Sequence, residues 1–335
     1  PPPTFSSRRR HTRLLTQSRG LGDVYKRQMY HRIMPQDDPR SQLEEPGMIV
    51  SPDTFKLHLE LLKQSFAIVT LSDWIQMQRD GIELPPKACA ITFDDGWVDN
   101  FEYAYPILKE LDIPATIFLV SDMIGTNEMF WPERLARLIV TISSKYPQHW
   151  THPELEWLQQ NPKNYQFSDT PPTREELSVL IAEAKHLPDN EIHDRITRVE
   201  NLLQLDKSEQ TPSLLDWQQV AEMVNSGLIE VGSHTRHHIR LNSNASEETL
   251  NDEIIGSKQT LEKHTGKSVK TFCFPNGDFC PQALELVKNN YLGAVSTQFG
   301  WNTTSSDKHL LRRIGMHQDI SRDKTSFLAR LSGWM

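Results

Sequence analysis

The chain has 335 residues, enough for one large α/β domain or two smaller ones, and a formal net charge of −8. This acidic balance provides no basic stripe for a phosphate backbone, which argues against a nucleic-acid partner. Its three cysteines show no C-x-x-C spacing and indicate neither a disulfide framework nor a thiolate metal site, and no apolar run approaches the roughly 18 residues of a membrane span.

The first 28 residues, PPPTFSSRRRHTRLLTQSRGLGDVYKRQ, differ from the rest of the chain. They are strongly basic, lack apolar periodicity and resemble the translated adapter sequence found at the ends of some metagenomic reads. We expect residues 1–28 to be non-native or disordered, so that the native N-terminus and any localisation signal would be missing. The compartment, whether cytoplasm, cell envelope or extracellular space, then stays open. The alternative is a natural basic tail that binds an acidic surface.

From residue 29 onward, short apolar runs alternate with helical patterns, and Ser51 followed by Pro52 is typical of a helix start. The runs have the form of strands buried on both faces. They are MYHRI (29–33), FAIVTL (66–71), ACAITF (88–93), ATIFLV (115–120), LIEVG (228–232), VKTFCF (269–274) and GAVSTQ (293–298). This alternation predicts parallel strands with crossover helices, in an open sheet or a barrel.

One segment interrupts the alternation. Residues 127–212 contain three helical patterns separated by proline-rich loops, without a strand candidate between them. We interpret this segment as a helical insertion carried on one loop of a single α/β body that spans residues 29–335.

The stretch TFDDG places Asp94 and Asp95 directly after an apolar strand. The carboxyl ends of strands are where α/β proteins present side chains to ligands. The plain alternative is a helix cap, for which one aspartate is enough. Two adjacent carboxylates can instead have different roles, in which one binds a cation and its neighbour accepts a proton from water.

A second candidate, GSHTRHH, follows the predicted strand LIEVG. His234 and His238 are spaced so that a helical turn would bring both imidazoles to one metal, whereas His237 cannot share a face with both. A zinc-protease motif is excluded because Thr235 stands where its glutamate would be. Together with the aspartates, these histidines make up the ligand set of an open catalytic metal site.

TFDDG and HTRHHIRL resemble the first two motifs of the NodB-type polysaccharide deacetylases, carbohydrate esterase family four. YHRI, IPATIFLV, SLLDWQQVAEMVNSGLIEVGSHT and FCFPNGDF follow the family's order, so the resemblance covers about residues 29–319 apart from the insertion. It implies a distorted (β/α) barrel of about seven parallel strands. It also implies hydrolysis of acetyl groups, above all N-acetyl groups, from a polysaccharide or oligosaccharide.

The resemblance also implies residue roles. Asp95, His234 and His238 would bind a divalent metal, zinc first and cobalt or nickel as alternatives, and Asp94 would be the catalytic base. In "IGMHQD", His317 would be the general acid, with the strand-borne His31 as its competitor.

The third family motif is altered in this chain. Cys273 stands where many members have an arginine, and Arg313 is a candidate substitute, which we group with the substrate-binding residues. Pro275 and Asn276 match a turn whose backbone N–H points at the developing oxyanion in the family.

A sugar-stacking surface could come from tryptophans, since aromatic rings pair with the apolar faces of pyranoses. Trp97, Trp131 and Trp301 are the candidates, although such residues more often pack in cores. Trp97 is the preferred one because it lies next to the aspartate motif.

Three alternatives remain open at this point. The same chemistry could act on an O-acetyl sugar, a peptidoglycan strand or a small amide. The fold could have lost activity and only bind carbohydrate, as the missing motif arginine would suggest. A phosphoryl-transfer enzyme would need a phosphate loop, and the sequence contains none.

Overall fold

The computed structural model describes residues 26–45, 47–159, 168–205, 213–243 and 245–334. Its centre is a closed ring of parallel strands. The strands are β1 (Lys26–Tyr30), β2 (Arg32–Ile33), β3 (Ile49–Val50), β4 (Ala67–Ile68), β5 (Ala88–Phe93), β6 (Ala115–Leu119), β7 (Ile229–Ser233), β8 (Thr271–Cys273), β9 (Gly293–Phe299) and β10 (Leu311–Gly315).

Seven of these strands close the barrel. They pair in the order β1, β5, β6, β7, β8, β9, β10, and β1 pairs in parallel with both β5 and β10. Strand β4 adds to the outer side of β5, and β2 pairs with β3 in a separate small sheet. The predicted distorted barrel of about seven parallel strands is confirmed.

Helices surround the ring, and none of those described is long and apolar enough to cross a membrane. They are α1 (Pro52–Ser65), α2 (Leu71–Arg79), α3 (Tyr105–Leu111), α4 (Trp131–Lys145), α5 (Glu156–Gln159), α6 (Arg174–Ala184), α7 (Asp189–Leu202), α8 (Trp217–Asn225), α9 (Glu247–Asn251), α10 (Ser257–Thr265), α11 (Pro281–Asn290), α12 (Gln318–Ser321) and α13 (Lys324–Ser332). The predicted start of α1 is confirmed, because Ser51 accepts a hydrogen bond from the Thr54 N–H.

The apolar runs form barrel strands because both of their faces are covered. All six residues of β5 are buried, one face toward the barrel interior and the other toward the helices. Strand β10 was not predicted, because its sequence LRRIG contains two arginines and does not read as an apolar run. The strand is possible because Arg313 is buried against a carboxylate inside the barrel.

The barrel begins earlier than expected. Strand β1 starts at Lys26, and the buried Gln28 side chain accepts a hydrogen bond from the Cys89 thiol at 2.7 Å. The predicted boundary at residue 28 was therefore too late, because residues 26–28 form the first part of the strand that closes the ring. The rest of that prediction, for residues 1–25, lies outside the described residues.

Helices α4 to α7 lie between β6 and β7, within the segment interpreted as an insertion. They enclose a hydrophobic cluster of their own, separate from the barrel core. A buried ion pair joins two of them, with the Arg134 guanidinium 2.8 Å from the Glu200 carboxylate. The insertion is thus a packed unit that begins at the carboxyl end of β6.

A buried histidine makes the barrel sensitive to acid. His58 donates from Nε2 to the Ser321 carbonyl at 2.6 Å and accepts at Nδ1 from the Tyr30 hydroxyl at 3.1 Å. Burial lowers the pKa of His58 from 6.5 to about 4. The unfolded chain therefore takes up this proton first, so the folded state loses stability as the pH falls from about 6.5 toward about 4.

Between pH 7 and pH 5 we expect this group alone to lower the free energy of unfolding by about 2 kcal/mol. Urea unfolding at both pH values should show that loss in the unsubstituted protein, and His58→Gln should reduce it by that amount. His186→Gln, at a side chain that is 81% exposed, is the matched control. An unchanged pH dependence in His58→Gln would contradict the assignment.

Candidate active site

The predicted site residues gather at one end of the barrel. Asp94 and Asp95 follow β5, His234 follows β7, and His31 follows β1. Because the strands are parallel, their carboxyl ends share one mouth, as the sequence pattern led us to expect.

Asp95, His234 and His238 form a three-residue group able to hold a cation. The Asp95 Oδ1 atom lies 3.3 Å from His234 Nε2 and 3.4 Å from His238 Nε2. His234 Nδ1 lies 2.8 Å from the Cys273 carbonyl, so a neutral ring that donates there would direct the lone pair of Nε2 toward Asp95. One carboxylate and two imidazoles whose ligand atoms converge in this way fit a divalent cation such as zinc.

Backbone strain helps to bring these ligands together. Asp95, Thr235 and His238 have backbone φ angles of +77°, +68° and +59°, values that residues other than glycine rarely adopt. The His238 N–H donates to the Thr235 hydroxyl at 3.0 Å. The two histidines therefore converge through a bend with left-handed residues, and the helical turn expected from their spacing was wrong.

The second group of possible ligands, Asp94, His234 and Cys273, is a poorer cation site. Burial raises the pKa of the Cys273 thiol, and a thiol must lose its proton to bind metal. Both Asp94 oxygens are held by Arg313, and His234 Nδ1 already donates to a carbonyl. We therefore assign the cation position to the Asp95 group.

Trp97 has a different place from the one predicted. Its indole N–H donates to Asp95 Oδ2 at 2.9 Å, the Arg32 guanidinium lies 4.1 Å above its ring, and it is 3% exposed. A ring covered in this way has no free face for a sugar, so the stacking prediction was wrong. Trp97 instead orients the carboxylate of Asp95.

Asp94 is held by a buried guanidinium. Arg313 donates from Nη1 to Oδ1 at 2.6 Å and from Nη2 to Oδ2 at 2.7 Å, a bidentate pair. Burial alone would raise the pKa of Asp94, but the Arg313 charge outweighs it and holds the pKa below its usual range. Asp94 is therefore an ionised carboxylate with a fixed orientation.

Arg313 was predicted as the substitute for the motif arginine and was grouped with substrate-binding residues. Arg313 is only 1% exposed and cannot contact the substrate directly, so its grouping with the substrate-binding residues was wrong. Its Nη2 lies 3.2 Å from Cys273 Sγ, beside the position where many family members have arginine. The guanidinium here comes from β10, while the smaller Cys273 leaves room for it on β8.

Removing this guanidinium should destabilise the protein strongly. Arg313→Met leaves Asp94 buried without its partner, so we expect a loss of about 3–5 kcal/mol in the free energy of unfolding. Arg312→Met, at the exposed neighbour, should change it by about 0.5 kcal/mol or less. Adding Asp94→Asn to Arg313→Met should restore part of the loss. Urea titration measures all three, and equal stability of the two single variants would contradict the pairing.

Two histidines were candidates for the general acid. His31 Nε2 is 3.9 Å from Asp94 Oδ2, at the carboxyl end of β1. His317 lies just beyond β10, with Nδ1 3.6 Å from Asp319, and burial lowers its pKa. Of these two histidines, only His31 has a described contact with Asp94 or Asp95.

The Pro275–Gly277 turn follows β8 at the same mouth. Pro275 is buried, whereas Asn276 is exposed with φ +54°. The Asn276 carbonyl accepts a hydrogen bond from the Thr297 hydroxyl at 3.2 Å, which fixes the peptide.

The two other tryptophans are packing residues: Trp131 is 6% exposed in the core of the insertion, and the Trp301 indole donates to a backbone carbonyl.

Sequence reasoning missed Glu253. This buried carboxylate accepts hydrogen bonds from the backbone N–H groups of Arg236 and His237, at 2.8 and 3.0 Å. It also accepts from His237 Nδ1 at 2.6 Å, which turns that ring away from the metal group. No local signal marks Glu253, because it lies in an acidic amphipathic helical stretch.

Comparisons with known proteins show which family the chain resembles. The polysaccharide deacetylase family model matches residues 81–179 and 182–295. YxkH of Bacillus subtilis, a protein assigned to the polysaccharide deacetylases, is 26% identical over 170 residues, which cover 50% of this chain and 53% of that protein. The poly-beta-1,6-N-acetyl-D-glucosamine N-deacetylase of Staphylococcus epidermidis is 30% identical over 106 residues, covering 29% of this chain and 36% of that enzyme.

The chain thus spans about half or less of the length of these relatives. In fold, it is similar to the Streptococcus pyogenes deacetylase PplD, solved in complex with acetate, with a TM-score of 0.60 at 17% identity over 92% of this chain and 98% of that one. The closed barrel, the converging aspartate and histidines, and a family match over most of the described chain lead to one conclusion: this protein belongs to the polysaccharide deacetylase family.

Proposed function

We propose that this protein is a metal-dependent hydrolase that removes N-acetyl groups from a polysaccharide or oligosaccharide. The observation that carries the proposal is the unequal pairing of two adjacent aspartates. Asp95 faces two imidazoles, and Asp94 faces a buried guanidinium. That arrangement supports one carboxylate as a cation ligand and its neighbour as a base.

In this proposal, Asp95, His234 and His238 hold the divalent metal, with zinc as the first choice. A metal bound there would lower the pKa of water and polarise the acetyl carbonyl. Asp94 accepts the proton of the attacking water, and Arg313 keeps its carboxylate ionised and oriented.

The remaining steps need a hydrogen-bond donor and an acid. The backbone N–H of Asn276, after Pro275, is proposed to stabilise the oxyanion as the tetrahedral intermediate forms. His317 is proposed to protonate the leaving nitrogen, with His31 as the second candidate because it lies near Asp94. The products are acetate and an amino sugar.

The name of the staphylococcal relative supports the substrate class, since that enzyme deacetylates poly-beta-1,6-N-acetyl-D-glucosamine. We therefore propose an N-acetylglucosamine polymer in preference to an O-acetyl sugar or a small amide. The rival proposal of an inactive binding protein relied on the missing motif arginine. Arg313 contacts Asp94 from β10, and this contact weakens the rival.

The direct test is metal analysis of the purified protein, followed by measurement of acetate released from β-1,6-linked N-acetylglucosamine oligomers. We expect one equivalent of zinc, cobalt or nickel per chain, and acetate release that a chelator abolishes and added metal restores. The same metal content without acetate release from any acetylated sugar would favour the binding-protein alternative. Full activity in metal-free protein would refute the mechanism.

A further inference from the structure

Arg32 is a buried arginine that lies close to the metal group but takes no part in the proposed reaction. It begins β2 and is 2% exposed. Its Cζ atom lies 4.1 Å from the centre of the Trp97 ring, and the Trp97 indole N–H donates to Asp95 Oδ2 at 2.9 Å. One side chain, the indole, therefore connects the Arg32 guanidinium to a proposed metal ligand.

Two carboxylates fix the position of the Arg32 guanidinium. Its Nε donates to Asp99 Oδ2 at 2.9 Å, and its Nη1 donates to Glu44 Oε2 at 2.5 Å. Asp99 also accepts from the Ile33 N–H at 2.8 Å, which ties this carboxylate to β2. The remaining nitrogen, Nη2, has no described hydrogen-bond partner, and the guanidinium lies over the Trp97 indole instead. Its third favourable contact is therefore a cation–π interaction.

The helical insertion contacts the same group of side chains at two points. Phe130, the residue before α4, packs against Trp97 with ring centroids 5.1 Å apart and against His238 with centroids 4.8 Å apart. Arg174, the first residue of α6, donates from Nε to the Glu44 carbonyl at 2.5 Å. The indole and the carboxylate that holds the buried arginine are therefore both fixed from the insertion as well as from the barrel.

This arrangement has a direct effect on the Asp95 carboxylate. A cation over the face of an indole draws electron density from the ring and makes its N–H a stronger hydrogen-bond donor. The N–H holds Oδ2, which leaves Oδ1, the atom between the two imidazoles, to bind the metal. Because Asp99 and Glu44 compensate the guanidinium charge, its repulsion of a cation is small beside this orienting effect.

We propose that Arg32 is a positioning residue that raises the metal affinity of the Asp95 group by fixing and polarising the Trp97 indole. The inference rests on the metal site of the proposed function and extends it to a residue that lies outside the ligand set. Hydrogen-bond partners of metal ligands typically change metal affinity by about 10- to 100-fold. We expect an effect near the lower end of that range for Arg32, because it acts through Trp97.

The test is a double-mutant cycle in which zinc affinity is measured by competition with a chelator. Arg32→Lys keeps a charge for the two carboxylates but removes the guanidinium from the ring, and we expect the zinc Kd to rise about tenfold. Trp97→Phe keeps a ring without the N–H donor and should raise the Kd at least as much. Adding Arg32→Lys to Trp97→Phe should cause no further loss. Arg134→Lys, at a buried arginine paired with Glu200, is the matched control and should leave zinc affinity unchanged.

The outcomes separate this inference from the proposed function. Unchanged zinc affinity in Arg32→Lys, or fully additive losses in the double variant, would overturn the role of Arg32 and leave the proposed hydrolase intact. Equal losses in Arg32→Lys and Arg134→Lys would show a general loss of structure and would also overturn it. Zinc affinity that depends on Arg32 without any acetate release would support the positioning role and refute the hydrolase. An unsubstituted protein that binds no zinc, cobalt or nickel would overturn both.

Discussion

Asp94→Asn is expected to reduce acetate release by about 10²- to 10⁴-fold while the bound metal remains. Asp94 is 2% exposed, and both of its oxygens accept from Arg313, so its position is set by the barrel and not by a cation. An amide keeps the size of the carboxylate but cannot take a proton from water. The expected loss is therefore in kcat, measured by acetate release under saturating oligomer.

The matched control for this change is Asp112→Asn, at an exposed aspartate that ends α3 with φ +51°. Asparagine tolerates that left-handed conformation, so stability and activity should both be unchanged. Metal content should be the same in the two variants and in the unsubstituted protein. If Asp94→Asn retained turnover within a factor of about three, Asp94 would not be the base.

The broad organisation of the site could be predicted because its residues lie next to strong local signals. ACAITF is an apolar run that ends directly before Asp94, and LIEVG is one that ends two residues before His234. In a ring of parallel strands, the residues that follow each strand must meet at one mouth. The parallel topology alone was therefore enough to predict that these distant segments of the chain lie together.

The partners of those residues were harder to predict, because they depend on contacts across the barrel. The sequence LRRIG does not reveal that Arg313 faces inward while Arg312 faces outward, until the strand's register is known. The predicted role of Trp97 in sugar stacking was wrong for the same reason, since its position next to the aspartate motif does not show that Arg32 covers its ring. The left-handed bend at Thr235 and His238 likewise has no signal in residue spacing.

The change expected to affect the metal most directly is Asp95→Asn. Its carboxylate oxygen Oδ1 lies between two imidazoles, and an amide oxygen carries no charge with which to attract a cation. The other oxygen accepts from the Trp97 indole, and an asparagine oxygen can keep that hydrogen bond, so the fold should be retained. We expect metal affinity to fall by about 100-fold or more, beyond the effect typical of residues that only support ligands.

A paired histidine experiment separates ligands from neighbours. His238→Gln should weaken metal binding as Asp95→Asn does, because its Nε2 faces Asp95 at 3.4 Å. His237→Gln should leave affinity nearly unchanged, since that ring is hydrogen-bonded to Glu253 and turned away from the metal group. Metal affinity is measured by competition with a chelator, with circular dichroism confirming the fold. Equal losses of metal affinity in His237→Gln and His238→Gln would show that the metal does not bind at Asp95. The proposed division of roles between Asp94 and Asp95 would then be wrong.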